Sequence, residues 1–399
     1  MDLRPLRHRE FRLLFIGQLV SFFGTMITYV ALPFQAYELT HSTTVVGLLS
    51  AVEIVPTVAL ALVTGALADT FERRRLVMLA EAGALLVALV LVANALLDEP
   101  QLWLLFVAAV LGSACYTLLR PPLDSLVPRL VPPDELPAAM ALEMVRGNGA
   151  QIAGPALAGA LIAAGGVATA YAVDAATFAV SLVALAAMRA TPPPSDAEPV
   201  SLRGIAEGFR YARSRQELLG TYLVDMNAMF FGMPMALFPA IGAQFGGAGA
   251  VGLLYAAPAV GSLAASVTSR WTRRVHRHGR AVALAAAGWG AAIVAFGFAD
   301  ALWLALALLA VAGAADAISG IFRGVMWAET IPDRLRGRLA GIEMISWSSG
   351  PTLGNVEAGA VAALTSVRTA VVSGGVLCVA GTAALVLALP RFWRYDRGK

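Results

Sequence analysis

Residues 4–35 read RPLRHREFRLLFIGQLVSFFGTMITYVALPFQ, a cluster of arginines followed by an apolar run. The run has about the 20 residues that a helix needs to cross a hydrocarbon core of about 30 Å. Arginines that precede a first span are typical of its cytoplasmic side. No small-residue cleavage site follows the run, so we interpret it as a retained helix and not as a removed signal peptide. This stretch therefore predicts a membrane protein whose N-terminus is cytoplasmic.

Similar apolar runs follow along the whole chain. The composition is 58% hydrophobic and only 14% charged, whereas an average soluble domain has roughly 25% charged residues. The runs of membrane-spanning length predict twelve helices, at 11–36, 44–68, 75–97, 101–120, 138–164, 167–188, 216–242, 248–270, 279–299, 301–323, 336–363 and 367–389. We therefore expect an all-α integral membrane fold that is embedded in a lipid bilayer.

Positive charge is confined to the termini and to every second gap between these runs. Of the 29 Lys and Arg residues, only Arg146 and Arg368 lie elsewhere. Cytoplasmic loops carry an excess of Lys and Arg, so the alternation separates the two sides of the membrane. It predicts an even number of spans, both termini in the cytoplasm, and insertion into the inner (plasma) membrane.

The side chains that most catalytic and metal sites require are scarce. Lys399 is the only lysine, which excludes a P-loop lysine for nucleotide phosphates and an internal Schiff base. The four histidines lie near predicted loops, the two cysteines lie in apolar spans, and no GxSxG nucleophile motif is present. We therefore predict no catalytic residue, no metal, no cofactor and no nucleic-acid partner, and the protein is not expected to be an enzyme.

The second half of the sequence repeats the first. The repeated features are ALEM (141–144) with GIEM (341–344), VGLL (46–49) with VGLL (251–254), and Gly154 and Gly159 with Gly354 and Gly359. Because six spans per repeat is an even number, the halves run in the same sense and are related by an axis along the membrane normal. We expect substrate to bind at their interface. The predicted organisation is an N-terminal six-helix bundle (1–188), a cytoplasmic linker (189–215) and a C-terminal six-helix bundle (216–399).

The predicted linker has two parts. The segment ATPPPSDAEP (190–199) is rich in proline and has no apolar run, which indicates an extended chain. After it, apolar residues recur at helical spacing against a charged face, at Leu202, Ile205, Phe209 and Ala212. This second part predicts a short amphipathic helix on the inner membrane surface.

Two motifs and one proline-containing run carry information about the family of the chain. The second and third spans are joined by GALAD, from Gly65 to Asp69, and by the basic residues Arg73, Arg74 and Arg75. The fifth span contains GPALAG, with Gly154, Pro155 and Gly159, and VPRLVP occupies 127–132. These features resemble the major facilitator superfamily, and the resemblance covers nearly the whole chain. GPALAG is similar to the Gly-Pro motif of its antiporters, and VPRLVP resembles its macrolide-efflux and enterobactin-exporter branch.

The resemblance implies a secondary transporter that alternates access by rocking two six-helix halves. In this family the first, fourth, seventh and tenth spans line the cavity. The resemblance also implies that Asp69 holds the halves closed on the cytoplasmic side, by accepting N–H groups at a helix N-terminus. The alternative is a local pair with Arg73, four residues later. Gly154, Pro155 and Gly159 would allow close helix approach and a kink, and the alternative is ordinary small-residue packing.

Ionisable residues within spans are costly and are usually kept for function. Asp225 lies about nine residues into the seventh span, hence about 13 Å from its cytoplasmic end, and is the first candidate for proton coupling, followed by Glu53 and Asp316. The alternative is a static ion pair, for Asp316 with Arg323 or Arg120. The side chains expected to line the cavity are Gln18, Ser21, Thr25, Thr28, Tyr29, Ser113, Tyr116, Arg120, Met229, Met233, Ser319 and Arg323. For the methionines, the alternative is ordinary packing.

Together these patterns predict a monomeric transporter that exports a small amphipathic molecule, such as a drug, a secondary metabolite or a siderophore, in exchange for protons. Its partners would be that substrate, protons and the lipid bilayer. One alternative is an importer or uniporter on the same fold. Another is a membrane sensor or scaffold that does not transport. A long soluble domain would favour the sensor, but the longest hydrophilic stretch is the linker near 189–215.

Overall fold

The described part of the chain is almost entirely helical. The computed structural model describes residues 2–60, 71–189 and 210–396, and for 333–348 it describes the backbone alone. No strand occurs in these residues. The helices are α1 (Arg9–Thr40), α2 (Thr43–Val52, continued after a turn at Glu53 to Leu60), α3 (Arg73–Ala95), α4 (Leu102–Leu130), α5 (Leu136–Ala186), α6 (Gln216–Phe231), α7 (Phe238–Gln244), α8 (Ala248–Val267), α9 (His278–Phe296), α10 (Leu302–Thr330), α11 (Asp333–Leu364), α12 (Val367–Ala388) and α13 (Pro390–Trp393).

Within the described residues, each of the twelve predicted spans coincides with helical backbone, and ten helices are long and apolar enough to cross a membrane. One of these ten, α5, is a run of 51 residues that supplies both the fifth and the sixth span. Its two segments meet at Gly166, where φ is 75° and ψ is 176°. Glycine tolerates this backbone because it has no Cβ. The prediction of an all-α fold with twelve spans is therefore confirmed.

Two details of the spans were not predicted from the sequence. The seventh span was predicted as one segment (216–242), but it is broken between α6 and α7 by a 3-10 turn at Met235–Leu237. A helix rarely continues unbroken through Gly232 and Pro234, because glycine weakens it and proline lacks an N–H group. The fourth and tenth spans were predicted to end at Arg120 and Arg323, whereas α4 continues for about three further turns and α10 for about two. Hydropathy marks where apolar residues stop, and a helix can continue beyond that point.

The helices form two compact units. The first unit contains Met1–His41, Val52–Val200 and Gly247–Gly252, and the second contains Ser42–Ala51, Ser201–Gly246 and Leu253–Lys399. In the first unit α1 packs along α5, and α3 packs against α4 and α5. In the second, α9 packs on α10 and α12, and α6 packs on α11 and α12. The predicted bundle limits stay predictions, because the segment 190–209 between them lies outside the described residues.

Several sequence predictions fall on the parts of the chain that the structure leaves undescribed. Gly65 and Asp69 of the gating motif lie outside the described residues, as do Leu202, Ile205 and Phe209 of the predicted surface helix. Of that helix, residues 210–214 are described, and they are helical. Ala212 is buried against Leu218 and Ile331. This end of the predicted surface helix therefore packs on protein.

Glycines at equivalent positions of the internal repeat lie where two helices come close together. In the first unit, a Cβ added to Gly159 of α5 would lie 3.1 Å from the Cα of Gly252 at the start of α8. In the second unit, a Cβ added to Gly359 of α11 would lie 3.4 Å from the Cα of Gly47 at the start of α2. Gly47 and Gly252 are the glycines of the repeated VGLL stretches. Helices within membranes associate closely where small residues meet, so the sequence repeat marks two equivalent helix crossings.

A methyl group at one of these crossings should destabilise the protein. The Cβ of Gly159→Ala would lie 2.7 Å from the carbonyl oxygen of Ala248, so α5 and α8 would have to separate. Overpacking of this kind costs about 1–3 kcal/mol. Gly149→Ala is the control on the same helix, because an added Cβ there has no neighbour within 4 Å. We expect a lower unfolding temperature in detergent for Gly159→Ala and no decrease for Gly149→Ala, and equal stability of the two variants would contradict the close contact.

Candidate transport site

A buried cluster of three charged residues joins α6 to α10 in the second unit. The Nη1 of Arg323 forms an ion pair with the Oδ1 of Asp225. The Nη2 of Arg323 lies 3.6 Å from the Oδ1 of Asp316. Asp225 and Arg323 are each only 8% exposed, while the side chain of Asp316 is 36% exposed. Both carboxylates therefore face one guanidinium, and Asp316 is the more accessible of the two.

Helical spacing brings the α10 residues of the cluster together. Asp316, Ser319 and Arg323 are separated by three and four residues, so they lie on one face of α10. Ser319 is 5% exposed on that face. The Nε of Arg323 is buried and has no hydrogen-bond partner among the described residues. The cluster thus contains a polar donor that its two carboxylates do not satisfy.

One helical turn away, a second contact holds α6 against α10. The Nε1 of Trp327 donates to the Oγ1 of Thr221 over 2.9 Å. The rings of Tyr222 and Trp327 stack with centroids 5.3 Å apart and an interplanar angle of 20°. Thr221 lies four residues before Asp225, and Trp327 lies four residues after Arg323. This contact fixes the distance between the two helices at the point where the ion pair forms.

The methionines of the seventh span differ in their surroundings. Met229 is 8% exposed, and a Cβ added to Gly350 of α11 would lie 3.0 Å from its Cβ. Met233 is half-buried and lies beside the break after α6, where the Nε1 of Trp289 donates to the carbonyl oxygen of Gly232 over 2.8 Å. Met229 therefore packs between helices, which agrees with the alternative of ordinary packing.

In the first unit, polar side chains of α1 face the interior of the helix bundle. The Nε2 of Gln18 and the Oγ of Ser21 donate to the Oε1 of Glu81 on α3, over 2.8 Å and 2.9 Å. Gln18 and Ser21 are each 2% exposed. The Oγ1 of Thr28 donates to the Oδ2 of Asp174 on α5. Both side chains are enclosed by α3 and α5, and the lining of a cavity by Gln18 and Ser21 stays a prediction.

The remaining α1 candidates are less enclosed. The Oγ1 of Thr25 is half-buried and donates to the backbone carbonyl of Ser21 over 3.0 Å. Tyr29 is 46% exposed. Thr25 thus satisfies its hydroxyl within its own helix, while Tyr29 is the most accessible of the predicted α1 residues.

The α4 candidates form two local contacts. The Nε of Arg120 donates to the hydroxyl of Tyr116 over 2.9 Å, and its guanidinium carbon lies 5.2 Å from the centre of the same ring. The Oγ of Ser113 donates to the backbone carbonyl of Glu53 over 2.9 Å, and the Oγ1 of Thr57 donates to that carbonyl over 2.8 Å. Arg120 therefore contacts an aromatic ring, whereas its counterpart in the repeat, Arg323, contacts carboxylates.

The basic residues after the gating motif bind backbone carbonyl groups. The Nη1 of Arg73 donates to the carbonyl of Ser125 on α4 over 3.0 Å. The Nε of Arg74 donates to the carbonyl of Leu185 at the end of α5 over 2.8 Å. Cations are favourable at helix C-termini, where carbonyl groups lack partners within the helix. These arginines thus tie the start of α3 to two neighbouring helices, and the role of Asp69 stays a prediction.

The glycine of the antiporter-like motif lies at a helix contact. A Cβ added to Gly154 would lie 2.5 Å from the Cβ of Met26, so α5 and α1 approach closely at this point. Pro155 is buried next to it. The non-helical backbone inside α5 occurs at Gly166 and not at Pro155. Helices therefore approach closely at Gly154 and Gly159, and the kink in the fifth span stays a prediction.

Membrane-spanning helices arranged as a twofold sequence repeat, with buried charges on the seventh and tenth spans, define a transporter of the major facilitator superfamily. The chain belongs to the transmembrane secretion effector family, whose profile matches residues 1–397. It is 29% identical to the enterobactin exporter EntS of Citrobacter koseri over 95% of this chain and 92% of that protein. It is also 29% identical to EntS of Escherichia coli (strain K12), over 97% of this chain and 94% of the relative.

Solved structures share the fold. The nucleoside transporter NupG matches with a TM-score of 0.72 and 13% identity, over 97% of this chain and 100% of that chain. A bacterial homologue of the human lysosomal transporter Spinster matches with a TM-score of 0.73 and 15% identity, over 98% and 97%. Family, relatives and fold agree that the protein is a multi-pass membrane transporter of small molecules and not an enzyme.

Proposed function

We propose that this protein exports a small amphipathic molecule of the siderophore or drug class across the inner membrane in exchange for protons, as a monomer with both termini in the cytoplasm. Export is supported by relatives of nearly the same length that are named enterobactin exporters. The observation that carries proton exchange is the buried cluster in which Asp225 and Asp316 share Arg323.

The charge of the cluster explains why it would take up a proton. With both acids ionised, two carboxylates face one guanidinium, which leaves one excess negative charge. Excess charge away from bulk water is costly in a membrane protein, and one added proton removes it. Two carboxylates beside the same cation titrate as a coupled group, so the proton belongs to the pair. Asp316 has the more exposed side chain, so we expect exchange with water to begin there.

Competition at this cluster would couple the proton to the substrate. In its ionised state, the cluster attracts a cationic or hydrogen-bond-donating group of the substrate. A proton on the same carboxylate removes that attraction. Substrate and proton therefore bind in turn. If the cluster is open to the two sides of the membrane alternately, it carries substrate in one direction and a proton in the other. If proton and substrate bound to the cluster at the same time, both would be carried in the same direction, and the two would not be exchanged.

Transport by purified protein tests the proposal, with enterobactin as the probe. Proteoliposomes are prepared with a lumen more acidic than the outside, so that protons leave as the probe enters. We expect enterobactin to accumulate above its outside concentration, and a protonophore to abolish the accumulation. Accumulation that is the same with and without the pH gradient would contradict proton exchange and favour a uniporter.

The proposed orientation can be tested with thiol labelling. Cys115 and Cys378 are first replaced by alanine, which leaves a chain without cysteine. Glu99 and Asp134 are both exposed, and they lie in consecutive gaps between spans. We expect a membrane-impermeant maleimide to label Glu99→Cys in intact spheroplasts and to label Asp134→Cys only after permeabilisation. Labelling of Asp134→Cys in intact spheroplasts would overturn the orientation.

A further inference from the structure

Glu81 is a buried carboxylate that the cluster around Arg323 does not include. It lies on α3 in the first unit and is 1% exposed. Its Oε1 accepts two hydrogen bonds, from Gln18 and Ser21 of α1. Its Oε2 is buried and has no hydrogen-bond partner among the described residues. The two oxygens of one carboxylate are thus in different environments, although ionisation would make them equivalent.

No described cation forms an ion pair with Glu81. On the first segment of α5, the Nη2 of Arg146 lies 2.7 Å from Glu143, and its Nη1 donates to the backbone carbonyl of Gln18 over 3.2 Å. The second segment of α5 contributes Ser181, whose Oγ lies 3.4 Å from the Nε2 of Gln18, and the carboxylate Asp174. An ionised Glu81 would therefore be a buried anion whose one nearby cation already has a partner.

The fourth helix also packs on α3. Where α4 packs on α3, the Sγ of Cys115 lies 2.7 Å from the place that a Cβ on Gly83 would occupy. A protonated carboxylic acid fits this environment, since its carbonyl oxygen accepts the two hydrogen bonds at Oε1 and its proton resides on Oε2. A buried anion without a paired cation costs several kcal/mol in a membrane protein, so the neutral form is favoured.

The polar contacts continue along the same face of α1. Beyond Ser21, Thr28 donates to Asp174, and Gln35 accepts a hydrogen bond of 2.8 Å from the hydroxyl of Tyr171. The α1 positions 18, 21, 28 and 35 are three and seven residues apart, which keeps them on one helix face. Buried polar side chains therefore extend from Glu81 along α1 to Gln35, near the end of that helix.

We propose that Glu81, enclosed by Gln18, Ser21 and Ser181, is a second proton-binding site of the protein, located inside the first unit. A proton taken from water forms an O–H bond at Oε2, and it is released to water when Arg146 leaves Glu143 and pairs with Glu81. No other bond changes. This inference rests on the proposed proton exchange and adds one proton to the transport cycle, besides the proton of the Asp225 and Asp316 cluster.

Infrared spectroscopy tests the protonation of Glu81 without transport. A protonated carboxylic acid has a carbonyl stretching band that is resolved from that of a carboxylate and shifts in D2O. We expect this band in the wild-type protein at neutral pH and its loss in Glu81→Gln, a variant whose amide reproduces the shape of the neutral acid. Asp174→Asn is the control for another buried carboxylate, and it should retain the Glu81 band. Identical carbonyl regions in the wild type and in Glu81→Gln would overturn the proposal.

The number of protons moved per substrate tests the role of Glu81 in transport. In proteoliposomes that contain a pH-sensitive dye, with enterobactin as the probe, Glu81→Gln should move one proton fewer per substrate than the wild type. Glu81→Asp, which retains an acid, should keep the wild-type ratio. An unchanged ratio in folded Glu81→Gln would overturn the second site. If the wild type itself moves no protons, the proposed proton exchange is wrong as well. The infrared band then still shows whether Glu81 is protonated, independently of transport.

Discussion

Asp225→Asn should abolish accumulation of substrate driven by a pH gradient while leaving the protein folded. The amide resembles the protonated acid in shape, and Arg323 keeps Asp316 as a partner after the change. The variant is thus fixed in a state that corresponds to one bound proton. Binding of the probe should weaken, because the amide, like a bound proton, removes the attraction of the ionised carboxylate. The binding that remains should give downhill exchange that does not depend on the pH gradient. We expect pH-driven accumulation of enterobactin in proteoliposomes to fall to the level without a gradient.

Thr221→Val provides a control on the same helix. It removes the hydroxyl that accepts the hydrogen bond of Trp327 and changes no charge in the cluster. We expect this variant to lose some stability and to keep pH-driven accumulation. If Asp225→Asn protein elutes as a single folded species and still accumulates the probe, Asp225 does not carry the coupled proton. The coupling role would then pass to Asp316 or Glu53.

Arg323→Gln should cause the largest loss of folded protein among single substitutions in the cluster. It leaves the buried Asp225 and the partly exposed Asp316 near each other without their shared cation. Removing one partner of a buried ion pair costs about 3–5 kcal/mol, because the remaining charge is uncompensated. We expect poor expression and a strongly lowered unfolding temperature. The double variant Arg323→Gln with Asp225→Asn should recover part of this loss, since it removes one of the two uncompensated charges.

Arg120→Gln is the matched control for this prediction, because Arg120 occupies the equivalent position in the first half of the repeat. It loses a hydrogen bond and a ring contact with Tyr116, and among the described residues Arg120 forms no salt bridge that the change would break. A contact of this kind is worth about 0.5–1 kcal/mol at a partly exposed site. Equal destabilisation by Arg120→Gln and Arg323→Gln would show that ion pairing is not what makes Arg323 necessary.

The features that the sequence predicts well are those that depend on position along the chain. Hydropathy and the distribution of arginine locate the twelve spans, because the bilayer imposes a length and a charge bias on each segment. The repeated VGLL stretches and the pair Gly159 and Gly359 mark equivalent helix crossings. Glycine is informative at such crossings, since a larger residue would separate the helices.

The features that the sequence did not predict depend on the direction of a side chain around its helix. Gln18 and Ser21 look like residues of an open cavity on α1, but they are turned towards α3 and α5. Glu81 was not among the candidates, although it is the one carboxylate within the third predicted span and could have been noticed on that ground. The sequence offered Arg323 or Arg120 as a partner for Asp316, and only the structure shows that Arg323 also pairs with Asp225.

The most direct test of proton-coupled export is to record both fluxes in the same vesicles. Wild-type protein is reconstituted with a pH-sensitive dye in the lumen, and enterobactin is supplied on one side without an initial pH gradient. The proposed exchange predicts that protons leave as the probe enters, in a fixed ratio, and that no protons move when the probe is absent. Entry of enterobactin without any movement of protons would contradict it.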